Sequence, residues 1–385
     1  GVGVMFYVLT ALRARLRETG WFAGHGLSEP NLARYLDLVA FGTVADVVRL
    51  DHHNRILVEQ GVRRIRQGQC APGILALCEV AGRDPSRLSA ADIGYYLGPR
   101  LNAAGRLEDM SQGIACLLSD DMEEARGIAR RLDEINRQRG ELTADIHAQA
   151  LERIEGIGRA ANDLPFGLCL YDPEWHQGVI GIIAGRLKDR LHRPVIVFAP
   201  DREGRIKGSG RSVAGTHLRD ALAAVATEQP GLIHQFGGHA MAAGMSLAVE
   251  RFERFSRAFD TEIRRWLSAD DLQGRLLSDG ELGPDEFSLD TAKLLREAGP
   301  WGQGFPEPLF DGVFEVLSHQ VMRDGKTLKL WLRPPATALS LEAVAFRRAA
   351  DFAPDTRQVR IAYHLDVNLW RGERLQLLVE HLEAA

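Results

Sequence analysis

The sequence has few cysteines, no apolar run long enough to cross a bilayer and no secretory signal pattern. Its four cysteines are scattered and include no Cys-x-x-Cys pair, which excludes a disulfide framework and a cysteine-based zinc site. Positive charge is not in excess, because 47 lysines and arginines stand against 52 aspartates and glutamates, for a net charge of −5. We therefore expect a cytoplasmic protein without membrane contact, in which any polyanion site is a local patch.

The composition is that of a folded chain large enough for two or three domains. Of the 385 residues, 45% are hydrophobic and 26% are charged. The first residues, Gly1-Val-Gly-Val-Met, read as the start of an amphipathic helix without an initiator methionine. We expect a fragment that has lost its N-terminal part.

The spacing of apolar residues divides the chain into regions of different predicted secondary structure. Residues 1–118 are mostly helical in pattern. An Asp120-Asp-Met-Glu123 capping box then opens a predicted helix of about 35 residues, of the kind that joins two domains. From about residue 160, short strands alternate with helices, which is typical of a layered α/β domain. After about residue 270, five short β-like runs predict a small barrel, for which an OB-fold is favoured.

The segment Phe236-Gly-Gly-His-Ala-Met-Ala-Ala-Gly244 predicts an anion site, most typically for phosphate. Gly237 and Gly238 let a backbone approach a ligand closely. The small residues that follow let a helix begin against the loop, with free N–H groups at its start. His239 adds a hydrogen bond or a proton. The alternative is an ordinary glycine turn.

A second candidate is Gly98-Pro-Arg-Leu-Asn-Ala-Ala-Gly-Arg106, which lies between two predicted helices. Arg100 and Arg106 offer planar forks for phosphate oxygens, Asn102 adds an amide, and the small neighbours allow close approach. The alternative is a helix-linking loop with surface arginines.

A third candidate follows the first predicted strand of the α/β region, where open sheets bind ligands. In Trp175-His-Gln-Gly178, His176 and Gln177 would stand beside a helix N-terminus. The alternative is an aromatic-capped turn.

A fourth candidate, Gly208-Ser-Gly-Arg-Ser212, supplies the hydroxyls of Ser209 and Ser212 and the guanidinium of Arg211 for an anion cradle. It lacks the ending of a Walker loop. Basic residues surround this segment in sequence, either as a solvated face or as the rim of a nucleic-acid groove: Arg186, Lys188, Arg190, Arg193, Arg202, Arg205 and Lys207.

Two acidic segments bear on metal binding. Asp46 ends an apolar run, where a carboxylate is expensive unless it is paired or binds a metal; the alternative is an aspartate that caps the next turn. The triplet Asp51-His52-His53 invites a metal interpretation, but three adjacent residues on one short polar turn do not easily face one ion. We favour a surface turn there.

Together these segments resemble the RecJ family of bacterial single-strand-specific DNA exonucleases, within the DHH phosphoesterase superfamily. The resemblance covers essentially all 385 residues, and its motifs occur in the family's order: GTVADVV, GPRLNAAGR, DPEWHQGVIG, SGRS, FGGHAMAAG and GPWGQGFPEPLF.

The resemblance implies an enzyme of DNA repair and recombination that removes nucleotides from the 5′ end of single-stranded DNA, using Mn²⁺ or Mg²⁺. It implies an α/β protein in four parts: the C-terminal part of a DHH catalytic domain (1–118), a long connecting helix (119–157), an α/β DHHA1 substrate-binding domain (158–268) and an OB-fold domain (269–385). Single-strand binding protein and a RecQ-type helicase are the implied partners.

The resemblance also assigns site residues. Asp46 matches the family's last metal-binding aspartate and is the predicted metal ligand and a catalytic residue, with His239 as the other catalytic residue. The predicted substrate-binding residues belong to the matched motifs: Arg100, Asn102, Arg106, His176, Gln177, Ser209, Arg211, Ser212, Gly237, Gly238 and His239.

One departure concerns the metal site. The family's earlier metal motifs, including its Asp-His-His triplet, belong before Gly1, and Asp51-His52-His53 does not replace them because it follows Asp46. Two-metal chemistry needs several carboxylates and histidines, and the sequence offers one credible ligand. We expect the chain as given to bind single strands but to hydrolyse them poorly or not at all.

Two other functions stay open from the sequence. One is a DHH phosphodiesterase for short oligonucleotides or cyclic dinucleotides, although such substrates need no extended groove of the kind a barrel adds. The other is a non-catalytic nucleic-acid-binding module.

Overall fold

The computed structural model of the protein describes residues 1–157, 164–202, 204–369 and 372–385. The chain forms two compact units, each assembled from separate stretches of sequence. Unit 1 comprises Gly1–Pro99, Ile114–Ala129 and Leu276–Ala385, and unit 2 comprises Arg100–Gly113 and Arg130–Arg275. The domain boundaries given above remain predictions, and residue 158, where one of them falls, lies outside the described residues.

Helices dominate the first part of the chain, as predicted. Those in the described residues are α1 (Val2–Glu18), α2 (Trp21–Gly24), α3 (Leu36–Ala45), α4 (His52–Arg66), α5 (Pro72–Ala81), α6 (Ala90–Asp92), α7 (Gly98–Leu107), α8 (Ser111–Leu118), α9 (Met122–Ile157), α10 (Ile180–Leu191), α11 (Leu218–Glu228), α12 (Phe252–Trp266) and α13 (Leu289–Ala298). A π-helical turn, Ile93–Leu97, leads directly into α7. None of the described helices is both long and apolar enough to span a membrane.

Close packing of α3 on α4 depends on Gly61. A Cβ atom there would lie 2.1 Å from the carbonyl oxygen of Leu36 and 2.4 Å from the Cβ of Ala40. Only glycine therefore lets these two backbones come together. The contact fixes α3, whose C-terminal cap is Asp46.

A five-stranded sheet organises unit 2 and confirms the predicted α/β layering. Its strands lie in the order β1-β2-β3-β5-β4, with β1 and β2 parallel and the other neighbours antiparallel. Helices α9 and α10 cover one face through residues such as Ile146 and Ile183, and α11 and α12 cover the other through Leu222 and Phe255. The strands are β1 (Leu168–Tyr171), β2 (Val195–Pro200), β3 (Arg205–Arg211), β4 (Gln235–Gly238) and β5 (Ala242–Ala248).

A closed five-stranded barrel in unit 1 confirms the barrel predicted for the C-terminal region. Its strands are neighbours in the order β10-β8-β7-β6-β9, and β9 also pairs with β10. In β7, Leu328, Leu330 and Leu332 are buried, as expected of alternate residues that face a core. The strands are β6 (Phe310–Val321), β7 (Leu328–Arg333), β8 (Leu341–Ala345), β9 (Gln358–Asn368) and β10 (Arg374–Ala384).

The segment between α13 and β6 ties the barrel to the helices of unit 1. The carbonyl oxygen of Gln303 accepts a hydrogen bond from the backbone N–H of Leu50 at 2.7 Å. The guanidinium of Arg55 lies 3.9 Å from the ring centroid of Phe305. The GPWGQGFPEPLF segment thus has a clear structural role within unit 1.

The long helix is confirmed: α9 has 36 residues, about 54 Å at 1.5 Å per residue. Its predicted capping box is wrong by one residue. The N-terminal cap is Asp121, whose Oδ1 accepts from the backbone N–H of Glu124 at 2.8 Å. The Glu124 carboxylate turns to the Ser119 hydroxyl, which donates to it at 2.6 Å. Because Ser119 satisfies that carboxylate, the capping register moves one residue along.

Two predicted loop conformations are wrong. The segment from Gly98 to Arg106 is not a link between helices but lies within α7. Pro99 follows directly on the π-helical turn, where the regular hydrogen-bond ladder is already interrupted, and the alanines that follow favour helix. The small residues after His239 do not begin a helix. They form β5, in which Ala243 and Met245 point into the core at a period of two, so Phe236–Gly244 is a β-hairpin.

Candidate nucleic-acid interface

The β4–β5 hairpin and the end of β3 bring two predicted site residues to one end of the sheet. Arg211 is paired with Ala242 across β3 and β5. The backbone N–H of His239 donates to the carbonyl oxygen of the same Ala242 at 2.8 Å. Since neighbouring strands are about 4.8 Å apart, the backbones of Arg211 and His239 lie roughly 10 Å from each other.

Glycine in this hairpin has two different roles. Gly238 has φ +147°, and a Cβ there would lie 2.4 Å from the carbonyl oxygen of Ala242, so the backbone itself requires glycine. At Gly237 a Cβ would have no heavy atom within 4 Å. Gly237, Gly238 and His239 are all exposed, so a ligand has access to the hairpin.

The first turn of α10 lies against the end of β3. A Cβ on Gly181 would be 2.9 Å from the Oγ of Ser209 and 3.2 Å from the Nη2 of Arg211. Arg211 donates through Nη1 to the carbonyl oxygen of Gly210 at 2.8 Å, which orients the guanidinium. The N-terminal cap of α10, Val179, makes no side-chain capping bond, so N–H groups at this end remain for another acceptor.

His176 and Gln177 stand exposed in the turn that precedes α10. The Nδ1 atom of His176 lies 3.0 Å from the backbone nitrogen of Gly178 and accepts its hydrogen bond. A neutral ring in that arrangement carries its proton on Nε2, which faces outward as a donor.

Contacts with the long helix α9 hold this turn in place. Trp175 is buried, and its indole N–H donates to the Oε1 of Gln149 at 2.9 Å. Asp172, also buried, accepts from Arg153 and from the backbone N–H of Glu174. These contacts of α9 set the position from which His176 and Gln177 project.

Helix α7 contributes Arg106 to the same place. Its carbonyl oxygen would be 2.2 Å from a Cβ on Gly178, so α7 directly abuts the turn before α10. Burial lowers the pKa of Arg211, and the positive charge of Arg106 lowers it further. Desolvation also lowers the pKa of Arg106. Such shifts are typical of cations that lack a nearby carboxylate.

Two other predicted site residues lie on α7. The Nε of Arg100 donates to Asp133 of α9 at 2.8 Å, and Asn102 is half-buried. Ser212 is buried, and its hydroxyl forms no hydrogen bond within the described residues. The structure therefore brings Ser209 and Arg211 together at the first turn of α10, with the backbone of Arg106 against the turn before it. The substrate-binding roles of all these residues remain predictions.

Sequence reasoning missed Arg139, which lies on α9 and is half-buried. Burial lowers its pKa, and the charges of Arg106 and Arg186 lower it further. No local motif marks Arg139, whereas Arg186 belonged to the predicted basic rim. Another member of that rim, Arg193, is instead buried and donates to the carbonyl oxygens of Leu164 and Pro165, because the backbone there needs donors.

The acidic segments of unit 1 offer little to a metal. Asp46 is exposed and forms no side-chain hydrogen bond or ion pair with the described residues. Asp51 caps α4 by accepting from the backbone N–H of Asn54 at 2.9 Å, and His52 and His53 are exposed in the first turn of that helix. The described ranges hold no group of three or more histidines, cysteines, aspartates or glutamates placed to bind a metal ion.

Two family models match the chain: the DHHA1 domain over residues 165–265 and the RecJ OB domain over residues 278–381. The chain is 54% identical to the single-stranded-DNA-specific exonuclease RecJ of Dickeya dadantii (strain 3937) and 51% identical to that of Escherichia coli (strain K12). Each comparison covers 99% of this chain and 67% of the relative. The chain thus spans about two thirds of the length of these relatives.

Solved structures show the same likeness. RecJ from Thermus thermophilus in complex with Mg²⁺ matches with a TM-score of 0.76 and 28% identity, over 94% of this chain and 54% of that chain. The complex with Mn²⁺ matches with a TM-score of 0.76 and 27% identity, over 94% of this chain and 51% of that chain.

Proposed function

The chain belongs to the RecJ family of single-stranded-DNA-specific exonucleases, and we propose that it binds the substrate strand for hydrolysis from the 5′ end. The observation that carries this proposal is that the hydroxyl of Ser209 and the guanidinium of Arg211 lie against the first turn of α10, while the backbone of Arg106 abuts the turn just before it. Guanidinium forks, a hydroxyl and free helix N–H groups are donors that suit phosphate oxygens. A sugar–phosphate backbone supplies such oxygens at regular intervals.

The exposed residues around this convergence have complementary tasks. His176 offers an outward Nε2 donor, Gln177 an amide, and Gly237 a stretch of backbone without an obstructing side chain. His239 stands beside Arg211 at the same end of the sheet and is proposed to contact the strand near the reacting phosphate. Positioning of this kind, with fixed positive charge, stabilises the charge that develops in phosphodiester hydrolysis.

The described residues supply too few ligands for a two-metal site. Asp46 offers one exposed carboxylate, whereas two-metal hydrolysis needs several ligands at close quarters. We therefore assign no chemical step to a metal held by this chain alone. In a protein of the relatives' full length, Asp46 is proposed to be one metal ligand, and the part that this chain does not span would supply the others. The bound Mn²⁺ or Mg²⁺ would supply the activated water.

The test uses a short oligothymidylate labelled at its 3′ end, so that the 5′ end stays free. We expect the 385-residue chain to bind it in metal-free buffer and to bind duplex DNA more weakly. Arg211→Met should weaken binding, whereas Arg257→Met, at an exposed arginine of α12 in the same unit, should not. Equal affinity of all three proteins would overturn the proposal.

Hydrolysis is measured separately on the same labelled strand. With Mn²⁺ added, we expect little or no shortening by this chain and rapid shortening by a full-length relative. Robust digestion by the chain alone would contradict the expectation that it lacks metal ligands. The protein partners implied by the family, single-strand binding protein and a RecQ-type helicase, stay predictions.

The single exposed carboxylate of Asp46 also favours a second candidate, a nucleic-acid-binding module without catalysis. A protein with the full length of the RecJ relatives distinguishes the two. If it binds single strands but leaves them intact with Mn²⁺, the module is correct. If it degrades dinucleotides better than long strands, the short-oligonucleotide phosphodiesterase is correct instead.

A further inference from the structure

We propose that the open face of the unit 2 sheet, formed by β3, β5 and β4, is a track along which a single strand continues from Arg211 to Lys207 and Arg205. This inference rests on the proposed function and extends it from one end of the sheet to the length of β3. It gives Lys207 a definite role, where its sequence left either a solvated face or a groove rim open, and it adds Ser246.

The register of β3 places three cations on one side of the sheet. Ile206 is buried in the core beneath α11 and α12, so the alternate residues of β3 face the opposite side. Their partners on β2 include Val195 and Val197, which belong to the core beneath α9 and α10. Neighbours in this row are two residues, or about 6.7 Å, apart. The row consists of Arg205, Lys207, Ser209 and Arg211.

Helices α9 and α10 cover only part of this side. The core beneath them holds residues of β1 and β2 but, among the described residues, none of β3, β5 or β4. Gly244 of β5 and Gln235 of β4 are exposed. A Cβ on Gly244 would meet no heavy atom closer than 3.9 Å, and one on Gly237 would meet none within 4 Å. This half of the face is therefore open to a ligand.

The open half has a low floor beside the cations. Lys207 is paired with Ser246, and Ser246 is paired with Gln235. Three strands at their usual spacing make the floor about 10 Å wide, and β3 makes it about 20 Å long. Small side chains leave room there for a sugar–phosphate chain. The residues of β5 on this side are Ala242, Gly244, Ser246 and Ala248.

Charge complementarity identifies the occupant as a nucleic-acid backbone. None of the residues that β3, β5 and β4 present to this side is acidic, although the whole chain has a net charge of −5. Lys207 is exposed and forms no ion pair with the described residues. At the far end, Nη1 of Arg205 lies 3.5 Å from Nε2 of His234. Cations that recur at a fixed interval suit phosphates, which recur at a fixed interval along a strand.

The experiment measures how the affinity of the 385-residue chain for oligothymidylate in metal-free buffer depends on salt concentration. For single strands the slope of log K against log salt changes by about 0.7 for each phosphate contact. Lys207→Met should reduce the slope by about 0.7 and weaken binding roughly fivefold at 0.1 M salt. Lys207→Arg should keep the slope. Arg257→Met, on α12 at the opposite face, should match the unmodified chain.

A second variant blocks the floor without removing a charge. Because isoleucine favours strands, Ser246→Ile should leave the thermal unfolding midpoint unchanged or raised, and it should still weaken binding of the strand. A merely structural role of Ser246 would instead lower the midpoint. In that case Lys207→Met alone decides, since Lys207 is exposed.

The outcomes separate this inference from the proposed function. If Lys207→Met binds like Arg257→Met while Arg211→Met binds weakly, the track is wrong and the proposed function stands. The track is also wrong if Ser246→Ile keeps both its midpoint and its affinity. If neither Lys207→Met nor Arg211→Met alters binding, the proposed function itself fails.

Discussion

The carbonyl oxygen of Arg106 lies against Gly178 so closely that a Cβ at position 178 would be 2.2 Å from it. Residue 106 belongs to α7, and residue 178 closes the turn that carries His176 and Gln177 into α10. One backbone contact therefore sets the spacing between a predicted phosphate-binding arginine and a predicted phosphate-binding helix start.

Gly178→Ala should separate these two elements. Because the added methyl meets backbone rather than a flexible side chain, we expect a loss of about 1–3 kcal/mol in the free energy of unfolding, together with weaker binding of oligothymidylate. Gly185→Ala is the matched control, since a Cβ there meets no heavy atom and alanine favours a helix interior by about 0.5–1 kcal/mol. Chemical denaturation and anisotropy titrations measure both quantities. Unchanged stability of Gly178→Ala would show that the contact is not tight.

Gln149→Ala should destabilise the turn that precedes α10. It leaves the buried indole N–H of Trp175 without its acceptor, which costs about 1–3 kcal/mol of stability. Gln138→Ala, at an exposed position of the same helix, should change stability by less than about 0.5 kcal/mol. The comparison is made by urea denaturation. Equal stabilities of the two variants would mean that the turn does not depend on α9.

Glu307→Gln should stabilise the chain in a pH-dependent way. Glu307 lies in a cleft of about 770 Å³ between the helices and the barrel of unit 1. Burial raises its pKa; His364 and Arg296 lower it, whereas Asp366 and Glu380 raise it. A carboxyl group with a raised pKa in the folded state contributes stability below its unfolded value, about 4.3, and loses that contribution as pH rises through the folded value.

Glutamine resembles the protonated form, so Glu307→Gln should unfold at a higher temperature than the parent chain at pH 7. The difference should shrink as pH falls and vanish at about pH 3, where the parent side chain is protonated in both states. Glu281→Gln, at an exposed glutamate of unit 1, serves as the control. Thermal melts across this pH range decide the matter. A difference that stays constant with pH would rule out titration of Glu307 as its cause.

Asp51 and its two histidines should respond differently to substitution. Asp51→Ala removes the cap of α4 and should lower stability by about 1 kcal/mol. The double variant His52→Ala/His53→Ala should leave any Mn²⁺ binding by the chain unchanged, because the two rings belong to no group of three or more metal-ligating side chains among the described residues. Calorimetric titration with Mn²⁺ measures this. Loss of a binding isotherm in the double variant would revive the metal interpretation of the triplet.

Most of the fold could be predicted from regular patterns in the sequence. The apolar spacing after Asp120 predicted α9, because burial of one face imposes its period on the residues. One of the short β-like runs after residue 270 is β7, in which Leu328, Leu330 and Leu332 alternate as buried residues. The hairpin at Phe236–Gly244 was misread because small residues suit a helix start and a strand equally. Its alternation at Ala243 and Met245 was the available signal.

For the candidate site, residues that share a local motif could be predicted from the sequence, and residues without such a motif could not. Ser209 and Arg211 share one strand, so a local motif was enough to pair them. Arg139 has no such motif, and no pattern in the sequence indicates that the charges of Arg106 and Arg186 lower its pKa in the folded chain. Its position among the other polar residues of α9 does not distinguish it from a residue exposed to solvent. The cap at Asp121 was missed for a smaller reason, since Ser119 competes for the glutamate that a capping box would use.

The two β-structures differ in how they meet a neighbouring chain. The barrel closes on itself, so it exposes no row of unpaired amide and carbonyl groups to which a foreign strand could add. The sheet of unit 2 ends in β1 and β4, each only four residues long. Such short edge strands offer a neighbouring chain few backbone hydrogen bonds, which limits edge-to-edge association of this sheet.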